Sequence, residues 1–346
     1  MNTTHFTVEQ LVCASVLDEG EGRVSTAQEL SVSAFASDGV RAARVADVLY
    51  LPDIGLQLVD RRLVPLEAIQ NAWRLGFELR RNFAGKAEVY RRPFETTVVD
   101  QEVCILTNLY SRNFSIWIAE ELIKVIVLER SGYRGRYVIA ARLPEFAMQC
   151  MTMLGVPEER ILRDVNGPTV FRSVVYVTAI QARTMARYPA PFFALREALL
   201  QAAGQAPRSS RRLWMERGVG VNNPGREVVN AEEVSALIGR YGFEIVDMAA
   251  QPLASQIALA NAAEVISGPH GAAFVHAMFM PPSSTVIECF SPEFINTNWF
   301  GILQLMQHRY FMIVHKRAHD PYPFGHQIMV DCAHLELTLR TLQTRR

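Results

Sequence analysis

From residue 102 onward, short apolar runs alternate with stretches of helical period. Residues 102–107 (EVCILT) read as a strand. Residues 114–130 place Trp117, Ile118, Leu122, Val125 and Ile126 at helical spacing. A strand follows at 137–140 (YVIA), a helix at 144–154 with Pro144 near its first turn, and a strand at 174–178. Residues 203–212 (AGQAPRSSRR) are polar and contain Gly, Pro and Ser, the best linker candidate in the chain. The alternation then restarts. Strands are predicted at 212–215, 243–246, 264–267, 285–289 and 310–314. Helices are predicted at 231–241 (closed by Gly242), 254–262, 270–278 and 294–307.

Strands and helices in this rhythm predict parallel sheets with crossover helices. The expected fold class is α/β, with two doubly wound halves facing a cleft. An N-terminal domain is expected over 1–205 and a C-terminal domain over 206–346. The first hundred residues break the pattern. They hold short apolar runs such as 45–51, followed by Pro52 and Asp53, and predict irregular, β-rich structure.

Composition narrows the function classes. The chain has 346 residues, 49% of them hydrophobic, enough for a sizeable core. Lys plus Arg equals Asp plus Glu, 35 each, so no net field draws in nucleic acid or an anionic membrane. Five scattered cysteines without a CxxC pair fit reduced thiols in a cytosolic protein. The N-terminus has neither a basic segment nor a long apolar one, and does not read as a signal peptide. The most apolar stretch, 257–280, is interrupted by Glu264, Pro269 and His270, so no transmembrane helix is predicted. The expected location is cytoplasmic, with peripheral docking on the inner face of the membrane left open.

In doubly wound sheets, ligands sit beyond the carboxyl ends of strands, near helix N-termini. There the strongest local signal is 265–273 (VISGPHGAA), an apolar strand running through Gly268-Pro269-His270-Gly271 into small residues. Glycine lets a phosphate approach the backbone, and a helix start offers unpaired N–H groups. The same residues also suit a plain tight turn with a packing histidine. Arg217 and Arg226 flank a loop (RGVGVNNPGR) after a strand, where arginine forks match phosphate oxygens. A solvated surface loop has the same composition. Gly218 and Gly220 lack the third glycine of a dinucleotide fingerprint. Glu288 ends the apolar run 284–290, where a carboxylate can accept from ribose hydroxyls or pair with an arginine. No Walker loop, zinc spacing or Asp-x-Asp pair occurs. No metal site or cofactor is therefore expected, and a diphosphate would be stabilised by arginine and a helix end.

Taken together, 214–290 resembles the C-terminal half of glycosyltransferase family 61, also called the DUF563 family. The matching residues are Arg217, Arg226, 230–233 (NAEE), 242–244 (GFE), Gln256, 268–272 (GPHGA), 279–282 (FMPP) and 286–288 (VIE). Upstream, 113–117 (NFSIW) resembles the family's Asn-aromatic-x-His-Trp motif, with Glu120 at an acidic position and Lys124 where arginine is frequent. The resemblance covers roughly 105–314.

It implies a GT-B-like fold and an inverting, metal-independent transfer from a nucleotide sugar such as UDP-xylose or UDP-N-acetylglucosamine. The acceptor would be a glycan or lipid-linked glycan, as in bacterial capsule or surface polysaccharide synthesis. On this mapping Arg217, Arg226 and the turn Gly268, Pro269, His270, Gly271 and Ala272 hold the diphosphate. Glu288 holds the ribose and Gln256 lines the nucleotide pocket. Asn113, Trp117 and Lys124 serve the acceptor side, with Glu120 as the substitute base. Catalytic roles fall to Glu120, Arg217 and His270. The chain departs from the family at Ile116, where histidine is usual, and at 273–276 (AFVH). Isoleucine moves no proton, so the alternative is a nucleotide-sugar-binding subunit without catalysis.

Overall fold

Among the described residues, the β-branched and aromatic runs of the sequence settle into two large sheets, one in each of two units, and one small strand pair. The computed structural model describes residues 12–13, 28–52, 55–59, 62–63, 95–106, 111–140, 143–163, 165–204, 210–217, 227–317 and 327–343. One unit comprises Met1–Gln181 and Arg187–Leu195, the other Ala182–Ala186 and Arg196–Arg346.

The N-terminal unit is built on a mixed sheet of nine strands among the described residues. They are β1 (Val12–Cys13), β2 (Gln28–Leu30), β3 (Ala42–Leu51), β4 (Leu56–Val59), β5 (Arg62–Leu63), β6 (Thr97–Ile105), β7 (Arg136–Val138), β8 (Ile161–Leu162) and β9 (Thr169–Val177). The order is β1-β5-β4-β3-β9-β6-β7-β8, with β2 also on β3. The strands β6 to β9 run parallel, as predicted, whereas β3 joins antiparallel to β9 along most of its length. So the parallel half is extended by an antiparallel meander from the region whose pattern was least legible.

Helix α1 packs in this unit and has three parts, Phe114–Ile116, a π turn at Trp117–Glu121, and Leu122–Arg130. The Asn113 side chain caps its start by accepting from the backbone N–H of Ser115 (3.0 Å) and from the Ser115 hydroxyl (2.7 Å). Burial of Trp117, Ile118, Leu122 and Val125 anchors it. Two further helices are α2 (Phe146–Met153) and α3 (Pro189–Ala203), and the boundary between the units falls inside α3.

The C-terminal unit holds β10 (Arg211–Glu216), α4 (Ala231–Gly239), β11 (Phe243–Asp247), α5 (Leu253–Asn261) and β12 (Ala263–Pro269). It continues with a 3-10 segment (Ala272–Phe279), β13 (Thr285–Phe290), α6 (Phe300–Leu305) and β14 (Arg309–Val314). A small antiparallel pair, β15 (Lys316–Arg317) and β16 (Ile328–Met329), precedes α7 (Cys332–Gln343). The five strands from β10 to β14 are all parallel, in the order β11-β10-β12-β13-β14. The central strands β12 and β13 bury residues on both faces, as a covered parallel sheet requires, while the edge strands β11 and β14 leave Ile245, Met312 and Val314 exposed. Trp214, Val265, Ile287 and Ile313 pack against α4 and α7. On the other side α5, the 3-10 segment and α6 pack together.

Two expected helices change. Residues 270–278 form the 3-10 segment rather than an α-helix, starting only after Gly271. The helix expected at 294–307 shrinks to α6. Asn296 and Ser291 side chains bond the backbone N–H groups of Asn298 and Glu293, and these local turns compete with helix.

Candidate active site

The order β11-β10-β12 puts a topological switch point between β10 and β12, where open α/β sheets leave a crevice for ligands. The chain leaves β10 at Glu216 into Arg217, and leaves β12 at Gly268-Pro269 into His270. Two glycines let these exits come together. Gly268 has φ +151°, a region that side-chain-bearing residues avoid, and a Cβ there would lie 2.5 Å from the Met215 carbonyl oxygen. Gly271 is extended, and a Cβ there would run into the Arg217 guanidinium. Arg217 therefore lies directly against the backbone of the glycine turn. The spacing of the sequence could not bring these positions together; strand pairing does.

His270 is fixed by its own set of contacts. Its backbone N–H donates to the Cys289 carbonyl at 2.8 Å. Its ring stacks on Phe290 (centroids 4.7 Å apart, planes at 21°) and touches Phe294. Its Nδ1 lies 2.5 Å from Oε1 of Glu288. Glu288, in the middle of β13, is 0% exposed. Oε1 also accepts from the Trp299 indole N–H at 3.1 Å, and Oε2 accepts from the Tyr310 hydroxyl at 2.8 Å. Burial, and then the Glu288 carboxylate, push the Tyr310 hydroxyl far above its ordinary value, so it remains a donor. Glu288 thus meets His270, Trp299 and Tyr310. Trp299 and Tyr310 were invisible to motif reading because they belong to no pattern and reach the carboxylate only through the fold.

Arg217 also lines a concavity of about 600 Å³ in the C-terminal unit, together with Trp214, Glu216, Val228, Ser235 and Ile245. Its walls mix apolar surface with the carboxylates of Glu216, Glu227 and Glu232. Pro269 closes β12 and Ala272 opens the 3-10 segment. Gln256 sits on α5, 7% exposed, and donates to the Gln251 carbonyl at 2.8 Å. Arg226 lies outside the described residues.

In the N-terminal unit Asn113 caps α1 and Trp117 is fully buried. Lys124 is buried too, its ammonium 2.9 Å from Glu121. Burial pushes the Glu121 carboxyl up. For Lys124 burial pulls the other way, but the Glu121 carboxylate outweighs it and the ammonium also holds its proton more tightly. Cys104 beneath them is pushed up to about 12, chiefly by burial. Glu120 is half-buried and Ile116 likewise.

A family model described as Glycosyltransferase 61 matches residues 5–287. The chain is a member of glycosyltransferase family 61. Membership implies a glycosyltransferase, with a sugar donor and an acceptor as substrates. The match begins far upstream of residue 105, so the family covers the N-terminal region that the motifs had left unexplained. It ends one position before Glu288. A search of curated proteins found no match. No helix among the described residues is long and apolar enough to cross a membrane.

Proposed function

We propose that this family 61 member is an inverting glycosyltransferase with a nucleotide diphosphate donor, held at Arg217 and the turn from Gly268 to Ala272. The observation that carries this reading is the contact of the Arg217 guanidinium with Gly271 at the sheet's switch point. A cation and a Cβ-free backbone share one spot, where phosphate oxygens are bound best. The adjoining concavity takes the nucleoside, and UDP is the proposed nucleotide.

In the reaction an acceptor hydroxyl of a glycan or lipid-linked glycan attacks the anomeric carbon opposite the diphosphate. The new C–O bond forms as the bond to the diphosphate breaks, the acceptor's proton passes to a base, and the configuration inverts. Charge accumulating on the diphosphate is met by Arg217, by backbone N–H groups and by His270, whose ring when protonated carries a second N–H at Nε2. The chain has no Asp-x-Asp pair, so the charge is assigned to these groups and not to a metal. The base is assigned to Glu120 on the N-terminal unit, and Gln256 to the nucleotide side. Asn113, Trp117 and Lys124 support the acceptor side through α1. The proposed setting is the cytoplasm, at or near the membrane, in surface polysaccharide synthesis.

The test is a thermal shift with UDP in EDTA, beside ADP and GDP. Ligand at 100 times its Kd adds about 2.7 kcal/mol of stability. At roughly 2–4 °C per kcal/mol, the midpoint should rise by several degrees. A UDP-selective rise that is lost in Arg217→Ala supports the reading. No rise with any nucleotide overturns it.

A further inference from the structure

The ring of His270 can be held in place by Phe290 without any choice being made between its two nitrogens, because stacking is blind to a ring flip. The carboxylate of Glu288 is not blind. An ionised carboxylate only accepts, so the imidazole nitrogen facing it must carry a proton. That choice is only as firm as the carboxylate itself. Glu288 has no solvent around it, and its two described partners besides His270 are the Trp299 indole N–H and the Tyr310 hydroxyl, one on each oxygen. Trp299 comes from the start of α6, 3% exposed, and Tyr310 from the neighbouring strand β14. Phe300 packs edge-on against the Tyr310 ring, centroids 5.6 Å apart. Two separate elements thus clamp the carboxylate in the plane that meets Nδ1.

We propose that Trp299 and Tyr310 are positioning residues that act through Glu288, fixing His270 with Nδ1–H on the carboxylate and Nε2 turned to the ligand. This rests on the reading of His270 as a contact to the donor diphosphate. Neither residue touches substrate. Each supplies one donor to a buried acceptor that cannot turn to water if that donor is lost.

The experiment uses the full chain labelled with 15N-histidine, the His270 signals being assigned by their absence in His270→Gln. In the wild type the neutral His270 ring should show the Nδ1–H tautomer with a slowly exchanging proton. In Tyr310→Phe and Trp299→Phe, each checked for an unchanged melting midpoint, that proton should exchange faster and the tautomer become mixed. Turnover should fall roughly tenfold in each, the scale of one hydrogen bond to a charged group. In a Glu288→Gln background neither change should add to the loss, because the path through Glu288 is already cut. An unaltered Nδ1–H signature in the folded double variant Trp299→Phe/Tyr310→Phe overturns the positioning. If the signature responds as expected but His270→Gln keeps full turnover, the positioning stands and the diphosphate reading fails.

Discussion

Glu121 and Glu288 are both carboxylates with no exposed surface, one in each unit, and the chain secures them in opposite ways. Glu121 meets Lys124 three residues on in the same helix, with Cys104 below. That pair is closed in the sense that both members are buried and lie three residues apart on one helix. Glu288 instead draws on β12, β14 and the start of α6, and one of its partners, His270, stands on the glycine turn beside Arg217. A closed pair fixes a helix. A carboxylate held by several elements can set the state of a residue that meets substrate.

The largest expected effect breaks the closed pair. Glu121→Leu strands the Lys124 ammonium, which should cost about 3–5 kcal/mol. At roughly 2–4 °C per kcal/mol, the melting midpoint would drop by at least 6 °C. Glu121→Leu/Lys124→Met should recover most of it. A single variant that melts like wild type would show that the pair is not sealed from water.

Next comes the frame of the glycine turn. Gly268→Ala meets both a positive φ and the Met215 carbonyl, and should cost about 2–3 kcal/mol in urea unfolding. An unaffected midpoint would mean that β10 and β12 can separate at their ends without penalty.

Acid should separate the units. Burial holds His276 down to about 4, against an ordinary value of 6.5. The unfolded chain therefore binds the proton first. Stability from this group is full above pH 6.5 and is lost as pH falls towards 4, by about 2 kcal/mol at pH 5. His315, also held near 4 by burial and then by His334, acts in the same direction. In the N-terminal unit Glu121 and Lys124 hold their protons more tightly in the folded state, so acid takes no stability from that pair. Hydrogen exchange at pH 7 and pH 5, corrected for intrinsic rates, should show the C-terminal unit loosening first. His276→Gln should lose its share of the slope.

The smallest change in stability belongs to Gly271→Ala. The backbone there is extended, and what a methyl meets is the movable end of Arg217. The cost should stay within about 0.5 kcal/mol. Turnover should nevertheless fall, towards the 10²–10³ expected when one donor to the developing charge is lost. Full turnover would detach Arg217 from the site.

The sequence was most legible where local pattern and global packing agree. All five strands of the C-terminal sheet were predicted within about two residues, because each is an apolar run stopped by Gly, Pro or a charge. The turn at Gly268 to Gly271 was visible for the same reason. In the N-terminal unit β6 was only half seen. Its first part (TVVDQE) carries charge on a strand that is stabilised by its neighbours β9 and β7 rather than by its own pattern. The 3-10 segment could not be told from an α-helix, since 272–279 is apolar on every side except at His276. Trp299 and Tyr310 were out of reach because only the pairing of β13 with β14 and the start of α6 brings them to Glu288.

The π turn of α1 bears on how this chain is compared with its relatives. A π turn takes up one more residue than an α turn before the backbone closes its hydrogen bond. Side chains after Trp117–Glu121 therefore point where those of the preceding position would point in an unbroken helix. Counting forward from Trp117 without a gap arrives at Glu120, whereas the acid that turns inward to Lys124 is Glu121. Sequences that lack the π turn should align with this one only when a single-residue gap is opened inside it.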